Sequence, residues 1–470
     1  MPVIGGICNI GATLTFDLQV MDVQTASRLC FTLHGRMKGA KSLNPIAWVN
    51  IPVFDFRSRL LVGEHKLAMW PVTAELQLEE TGCYPLGSVS LNPHSTIALT
   101  VKFSEYNRSP PIVFPSDEKI NELAAGNMER PGTPGHPDWH PPKKMVRQLD
   151  DILSSRQWDC LHEQDKDLVW TMRVEIREKN AQALPLVLKS VKWHNHIDVA
   201  KMQILLNSWG QKIPVDHALE LLDFNFPDKN VRRYAVNCLQ DLSDDEVSLY
   251  LLQLVQALKY ENYLYCPLSE FLLERALRNQ HIGQQLFWLL KSELHNPIVT
   301  VRFGLLLETY LKASPDHLNV LYKQFDALNK LNALSQLIKS EKIESNNEKS
   351  MEQARANMKI ILAQKTYQEK LSHLNSPLSP LYRVKELNTD QYLRQDMLTL
   401  QMLQVMDSIW QAENLDLRIN AYGCIATGFE QGMIEVVRRS ATLAEIQKQG
   451  GAFDKKTLYE WLKDKNKTES

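Results

Sequence analysis

Pro227-Asp228-Lys229-Asn230-Val231-Arg232 returns in outline as Pro297-Ile298-Val299-Thr300-Val301-Arg302, and this echo decides the fold of the middle of the chain. The two arginines lie 70 positions apart, close to two helical-hairpin repeats of about 35 residues, and Pro267 falls near where a middle repeat would open. Between the two stretches, Leu249, Leu252, Val255 and Leu258 share one helix face and are joined by Leu251 and Leu254. A helix apolar around most of its circumference belongs deep in a core. Helical periodicity holds from about Met145 to Leu337, so this region is expected to be an α-solenoid. Asp228 and Asn296 are placed to cap the first amides of their helices, while the neighbouring prolines fix the entry angle. That is structural chemistry rather than catalysis.

Upstream the period changes from helical to alternating. Leu14, Phe16, Leu18 and Val20 alternate with polar residues, as do Ile97, Leu99, Val101 and Phe103, so each run is expected to be a strand with one buried face. Arg28 to Leu33 and Ala47 to Phe56 read as further short strands, with turns at Gly35, Gly39, Pro45, Gly63, Gly82 and Gly87. Short strands divided by turn residues indicate an antiparallel β-sandwich. The Pro-rich tract Arg130 to Pro142 separates strands from helices and reads as a linker.

Downstream of the helical region, residues 340 to 352 form a polar tract expected to be an exposed loop, followed by a helix from Met351 to Leu374. Ser376-Pro377-Leu378-Ser379-Pro380 stops that helix. Leu393-Arg394-Gln395-Asp396-Met397-Leu398-Thr399-Leu400-Gln401 then reads as a helix carrying one acid, and Gly432-Met433-Ile434-Glu435-Val436-Val437 as a strand ending at a hinge. Thr442 to Gln449 and Asp454 to Lys465 read as two more helices.

With 470 residues, of which 44% are hydrophobic and 23% charged, the chain can bury several cores and is neither disordered nor fibrous. A formal net charge of -2 gives no general attraction for nucleic acid or an anionic bilayer, so membrane contact would need local basic patches. The seven cysteines are scattered without a Cys-x-x-Cys pair, which argues against a disulfide framework or a zinc site and for a reducing compartment. No segment sustains the apolar run of about 18 residues that spans a membrane, and the chain is expected to be soluble. Gly5-Gly6-Ile7-Cys8-Asn9-Ile10-Gly11 is not followed by Lys-Ser or Lys-Thr, so it reads as a turn rather than a phosphate loop. The imidazoles of His194 and His196, two positions apart, diverge on a helix, and no metal site is expected.

The helix Leu393 to Gln401, the hinge strand Gly432 to Val437, Trp48-Val49-Asn50, Glu220-Leu221-Leu222-Asp223-Phe224 and Leu251 to Gln256 together resemble a class I phosphoinositide 3-kinase catalytic subunit, of the class that pairs with an SH2-containing regulatory subunit. The resemblance implies a multidomain α+β chain. Residues 1–115 would be a C2-like antiparallel sandwich, incomplete at its N-terminus, and 116–144 the Pro-rich linker. Residues 145–337 would be the HEAT-like helical domain, 338–380 a linker and helix, and 381–470 a partial small lobe of a kinase domain. It also implies a parent activity, transfer of the ATP γ-phosphate to the 3-hydroxyl of phosphatidylinositol 4,5-bisphosphate with magnesium. Membrane phosphoinositides and the regulatory subunit are the implied partners. The implied location is the cytoplasm, with recruitment to the plasma membrane.

The chain departs from the family in the small lobe. Asn388-Thr389-Asp390-Gln391-Tyr392 runs straight into Leu393, so roughly forty residues of the family pattern are missing, among them the lysine that holds the nucleotide phosphates. Neither an Asp-Phe-Gly segment nor an Asp-Arg-His catalytic loop occurs, so no catalytic residue is assigned and the chain itself is expected not to bind ATP and magnesium productively. By resemblance the adenine side would be formed by backbone groups of Glu435 and Val437, the apolar surroundings Ile434 and Tyr422, and Asp396 at the inner wall. The alternative is that these residues are merely packed in a small fragment. Glu163 matches by its spacing to Trp170 an acid that the family presents to the regulatory subunit. Asp159 lies nearby, and Cys160 stands where the family has a second acid. The same acids would also complement a helix dipole. Arg36, Lys38 and Lys41 lie in a turn where a C2-type domain touches anionic lipid, or where a solvated loop lies. Two readings of the whole remain: a non-catalytic protein that engages the regulatory subunit, and an incomplete record of an active enzyme.

Overall fold

The computed structural model describes residues 3–4, 7–8, 10–36, 42–73, 84, 92, 94–105, 111–155, 158–210, 212–340, 356–357, 360–371, 374–383, 394–429, 431–437, 440–450 and 457–465. It divides into two compact units, Met1–His317 and Leu318–Ser470.

The first unit opens with the sandwich. Strand Asn44–Pro52 pairs antiparallel with Arg28–Gly35 on one side and with Trp70–Pro71 on the other, and a second sheet pairs Gly63–Ala68 with Ala98–Phe103. Ala47, Val49 and Ile51 bury one face of the central strand with Leu67 and Met69, against Leu99, Val101 and Phe103. The opposite face is buried too. Trp48 packs on Tyr84 with ring centroids 4.8 Å apart and the rings tilted by 34°, and Ile298 of the helix Pro297–Ala313 packs against this cluster. Asn50, on the same face as Trp48, donates from Nδ2 to the Tyr84 carbonyl at 2.7 Å. A strand covered on both sides reads Ala-Trp-Val-Asn-Ile rather than as clean alternation.

Three expectations for the sandwich fail. Gly35, Pro45 and Gly63, read as turn residues, lie within strands. Residues 10–19 form no strand, and Leu14 and Phe16 are 70% and 62% exposed. Alternation supplies an apolar face, but a strand also needs a neighbour for its backbone groups. The run expected from Ala47 to Phe56 ends at Pro52; Phe54 forms an isolated bridge with Leu60, and Phe56 sits exposed in the following turn. Val3–Ile4 pairs antiparallel with Ile7–Cys8, and Gly5 and Gly6 lie outside the described residues.

The segment expected as a linker is largely fixed in place. It begins with the helix Asp117–Gly126, whose Ile120 and Ala124 pack on Ala200 and Ile204 of the helix His196–Asn207. Glu129 then accepts hydrogen bonds from Arg173 at 2.6 Å and Lys201 at 2.9 Å. Gly135 adopts a φ of 89°, and an added Cβ would lie 2.8 Å from the Arg173 guanidinium, so the proline-rich turn needs glycine there.

Helices then follow from Lys143–Ser155 to Pro315–Ser340, as the periodicity requires. Asp228 Oδ1 accepts the N–H groups of Asn230 and Val231 at 2.8 and 3.0 Å, and Asn296 Oδ1 accepts that of Ile298 at 3.1 Å. The helix Pro267–Arg278 is capped instead by Cys266, whose Sγ accepts the Ser269 N–H. The echoed arginines converge on one loop. Arg232 Nε donates to Glu261 Oε1 at 2.8 Å, while Arg302 donates to the backbone carbonyls of Glu261 and Tyr263 at 2.9 and 2.8 Å. All three side chains are buried, so the repeats are joined through satisfied polar groups within an apolar interior.

In the second unit, a hairpin of Asn375–Ser376 and Ser379–Arg383 precedes the helix Arg394–Ala412. The strands Cys424–Gly428 and Gln431–Ile434 pair antiparallel, and helices Leu443–Gly450 and Thr457–Lys465 follow. The second strand of the 375–383 hairpin ends at Arg383, and residues 384–393 lie outside the described residues. The polar tract at 341–350 and the start of the helix expected from Met351 lie outside the described residues; Lys365–Leu371 is helical. Among the described residues, no helix is long and apolar enough to cross a membrane.

Candidate functional site

Asp396 stands in the first turn of the helix Arg394–Ala412, where a carboxylate complements the positive end of the helix dipole. The helix is held on the strand pair by Met397, whose Sδ accepts the Ala426 N–H at 3.0 Å, and by the buried Leu400. Burial, with the Asp396 carboxylate as a second cause, pushes the Cys424 thiol up to about 12. Asp396 is itself exposed, however, and among the described residues no cation pairs with it.

The strand register sets Cys424 opposite Ile434 and Ile425 opposite Met433, with a bulge between Ala426 and Gly428. Just beyond this ladder Glu435 closes a small ring with Gly423. Its backbone N–H donates to the Gly423 carbonyl at 2.7 Å, and its Oε2 accepts the Gly423 N–H at 2.9 Å. Both the Glu435 N–H and its carboxylate are therefore committed to the hinge. Among the described residues the Glu435 carbonyl and the Val437 N–H have no hydrogen-bond partner, whereas the Val437 carbonyl accepts from Ser440 Oγ at 2.7 Å. Tyr422 and Ile434 are half-buried beside them. One free acceptor and one free donor two residues apart suit the edge of a purine, which presents an amino donor beside a ring-nitrogen acceptor.

The rest of a nucleotide fits less well. A triphosphate needs cationic side chains or a backbone cradle, and a magnesium ion needs clustered oxygen ligands. Among the described residues no group of three or more His, Cys, Asp or Glu side chains is placed to hold a metal ion, the His194 and His196 pair included. His196 instead turns Nδ1 to Asp22 Oδ1 at 2.7 Å, and Asn195 caps the helix that His196 opens. Among the described residues the hinge offers one free donor and one free acceptor, and no group of side chains is placed to hold a metal ion.

The acidic segment lies at the head of the helix Glu163–Thr171. The side chain of Glu163 is 79% exposed and among the described residues holds only an i,i+3 pair with Lys166, while Asp167 pairs with Lys192 at 2.7 Å. Cys160 is exposed, and Asp159 lies with it on the short turn Trp158–Cys160. Arg36 is exposed just past the strand Arg28–Gly35; Lys38 and Lys41 lie outside the described residues.

Sandwich, helical-repeat region and kinase-type helix-and-hinge unit in one chain define a protein of the phosphoinositide-kinase type, and comparison with known proteins makes the assignment specific. Three family models match in chain order: Phosphoinositide 3-kinase C2 over residues 6–110, the Phosphoinositide 3-kinase family accessory (PIK) domain over 137–323, and Phosphatidylinositol 3- and 4-kinase over 387–470. Phosphatidylinositol 3-kinase 1 of Dictyostelium discoideum is 36% identical over 462 residues, covering 92% of this chain and 28% of that protein. Phosphatidylinositol 3-kinase 2 of the same organism is 36% identical over 357 residues, covering 69% of this chain and 19% of its own length. The chain belongs to the phosphoinositide 3-kinase family, and it spans less than a third of the length of these relatives.

Several features of these sites escaped the sequence. The Glu435 to Gly423 ring needs the hairpin closed before its 12-residue separation means anything. The clasp of Asp22 on His196 joins positions 174 apart, for which no local signal exists.

Proposed function

We propose that the chain represents part of a class I phosphoinositide 3-kinase catalytic subunit of the kind that pairs with an SH2-containing regulatory subunit. The activity of the whole subunit would be magnesium- and ATP-dependent phosphorylation of phosphatidylinositol 4,5-bisphosphate at the 3-hydroxyl, in the cytoplasm and at the plasma membrane. In this chain the roles divide. The Glu435 carbonyl and Val437 N–H would hold a base flanked by Tyr422 and Ile434, and Glu163, with Asp159 and Cys160 beside it, would face the regulatory subunit. Arg36, with Lys38 and Lys41, would meet anionic lipid.

The chain itself would bind rather than catalyse. The observation that carries this is Asp396, exposed and without a cation among the described residues, on a helix that the sequence enters from Asn388 to Tyr392 with no phosphate-holding lysine segment. A base pocket without a phosphate clamp gives a charged triphosphate little to hold.

The test of the partner role is titration of the intact chain against the purified regulatory subunit. Saturable binding is expected, weakened by Glu163→Lys in a manner that depends on salt, since the side chain is exposed and its reversal leaves the fold intact. Affinity indifferent to Glu163→Lys would remove the interface.

A further inference from the structure

One cleft takes no part in the sites described so far. It lies in the solenoid, between the end of the helix His196–Asn207 and the helix Lys229–Leu239, with a volume of about 280 Å³. Asn230, Arg233, Tyr234 and Asn237 of the second helix all line it, and their spacing at i, i+3, i+4 and i+7 puts them on one face. Asn207 joins them from the first helix.

Some of these groups are already used. The Tyr234 hydroxyl is bonded to the Cys238 thiol, and Lys212 at the margin is paired with Asp241. Others are not. Arg233 holds only the Asn230 carboxamide oxygen, at 3.3 Å, and no acid lies at ion-pair distance from it among the described residues. The side-chain amides of Asn207 and Asn237 have no hydrogen-bond partner among the described residues. Asn207, Gly210, Arg233 and Asn237 are exposed, so the cleft is open along its margin rather than closed like a small-molecule pocket.

The free groups select their ligand. Each carboxamide offers a donor and an acceptor together, which complements the carbonyl and N–H of a peptide backbone. A single guanidinium held only by the Asn230 amide oxygen, with the Asp228 carboxyl acting on it beyond ion-pair distance, matches one carboxylate, whereas a doubly charged phosphate calls for more than one cation. We propose that this cleft binds an extended peptide carrying one acidic residue, with Arg233 taking the carboxylate and Asn207 and Asn237 taking backbone amides on either side. The ligand is thus an acidic stretch of a partner protein, and the site is independent of the nucleotide and Glu163 readings.

The experiment probes the intact chain against immobilised pentapeptides, acetylated and amidated, of mixed sequence with Asp, Ala or Lys fixed at the centre. Retention on the Asp-centred set is expected, absent from the Lys-centred set. Arg233→Glu and the double variant Asn207→Ala with Asn237→Ala should each reduce it about tenfold or more, as loss of hydrogen bonds to a charged or peptide group requires. All three positions are exposed, so thermal unfolding of both variants should match the parent, and Arg147→Glu, an exposed arginine elsewhere, should bind normally. Equal retention on the three sets, or equal loss from Arg147→Glu, overturns the proposal. So does displacement by inorganic phosphate alone at low millimolar concentration, which would make the cleft a small-anion site.

Discussion

The helix Asp244–Ala257 of the solenoid and the helix Arg394–Ala412 of the second unit carry comparable apolar patterns and meet different fates. The first is capped by the reciprocal Ser243 and Glu246 box and buries Val247, Leu251, Leu254 and Val255 completely. The second buries Leu400 and Gln401, yet Leu398, Met402 and Ile409 stand 50%, 44% and 56% exposed along one side. Periodicity reveals that a helix has an apolar face; it does not reveal what lies against that face. In the solenoid the covering elements are neighbouring repeats of the same chain. On the exposed side of the second helix nothing among the described residues performs that service.

This contrast can be tested by substitution, beginning where the effect is largest. Arg232→Met removes the cation from the buried Glu261 carboxylate and should lower stability by about 3–5 kcal/mol, read from urea unfolding followed by tryptophan fluorescence. A loss below about 1 kcal/mol would show that the arginine-linked loop does not unite the repeats. Leu254→Ala, at a fully buried site, should cost about 2–5 kcal/mol. Met402→Ser on the exposed stripe should shift stability by no more than about 0.5 kcal/mol while improving solubility. If Met402→Ser proved as costly as Leu254→Ala, the stripe would be covered and the comparison would collapse.

The smallest effect concerns acid. Hydrogen bonds from the His196 ring and backbone hold the Asp22 carboxyl below its ordinary value of 3.8. An acid with a lowered folded value stabilises the fold above its unfolded value and loses that contribution as pH falls through the folded one. Asp22→Asn should therefore be less stable than the parent near neutrality, with the gap closing as pH drops below 3.8. A gap independent of pH would mean that the contact works through shape rather than charge.

Much of the fold was legible, and the failures have physical causes. The caps at Asp228 and Asn296 were readable because capping is local, and Ala47 to Asn50 because four buried residues in succession are hard to place anywhere but a core. The helix Asp117–Gly126 was hidden by the prolines after it, although Ile120 and Ala124, four apart, already marked its buried side. Leu14, Phe16 and Leu18 alternate without a strand because pairing is a property of two segments and the pattern records one. At the candidate nucleotide site the hinge residues are named from the sequence by resemblance alone. The occupation of the Glu435 N–H by Gly423, which leaves its carbonyl and the Val437 N–H as the free pair, needed coordinates.

The most direct test of the central claim is a lipid kinase assay on the purified chain, with phosphatidylinositol 4,5-bisphosphate vesicles, magnesium and radiolabelled ATP. The account predicts no phosphate incorporation above the protein-free control, because Asp396 has no cationic partner among the described residues and the sequence carries no phosphate-holding lysine segment before it. Magnesium-dependent labelling of the lipid by this chain would contradict it.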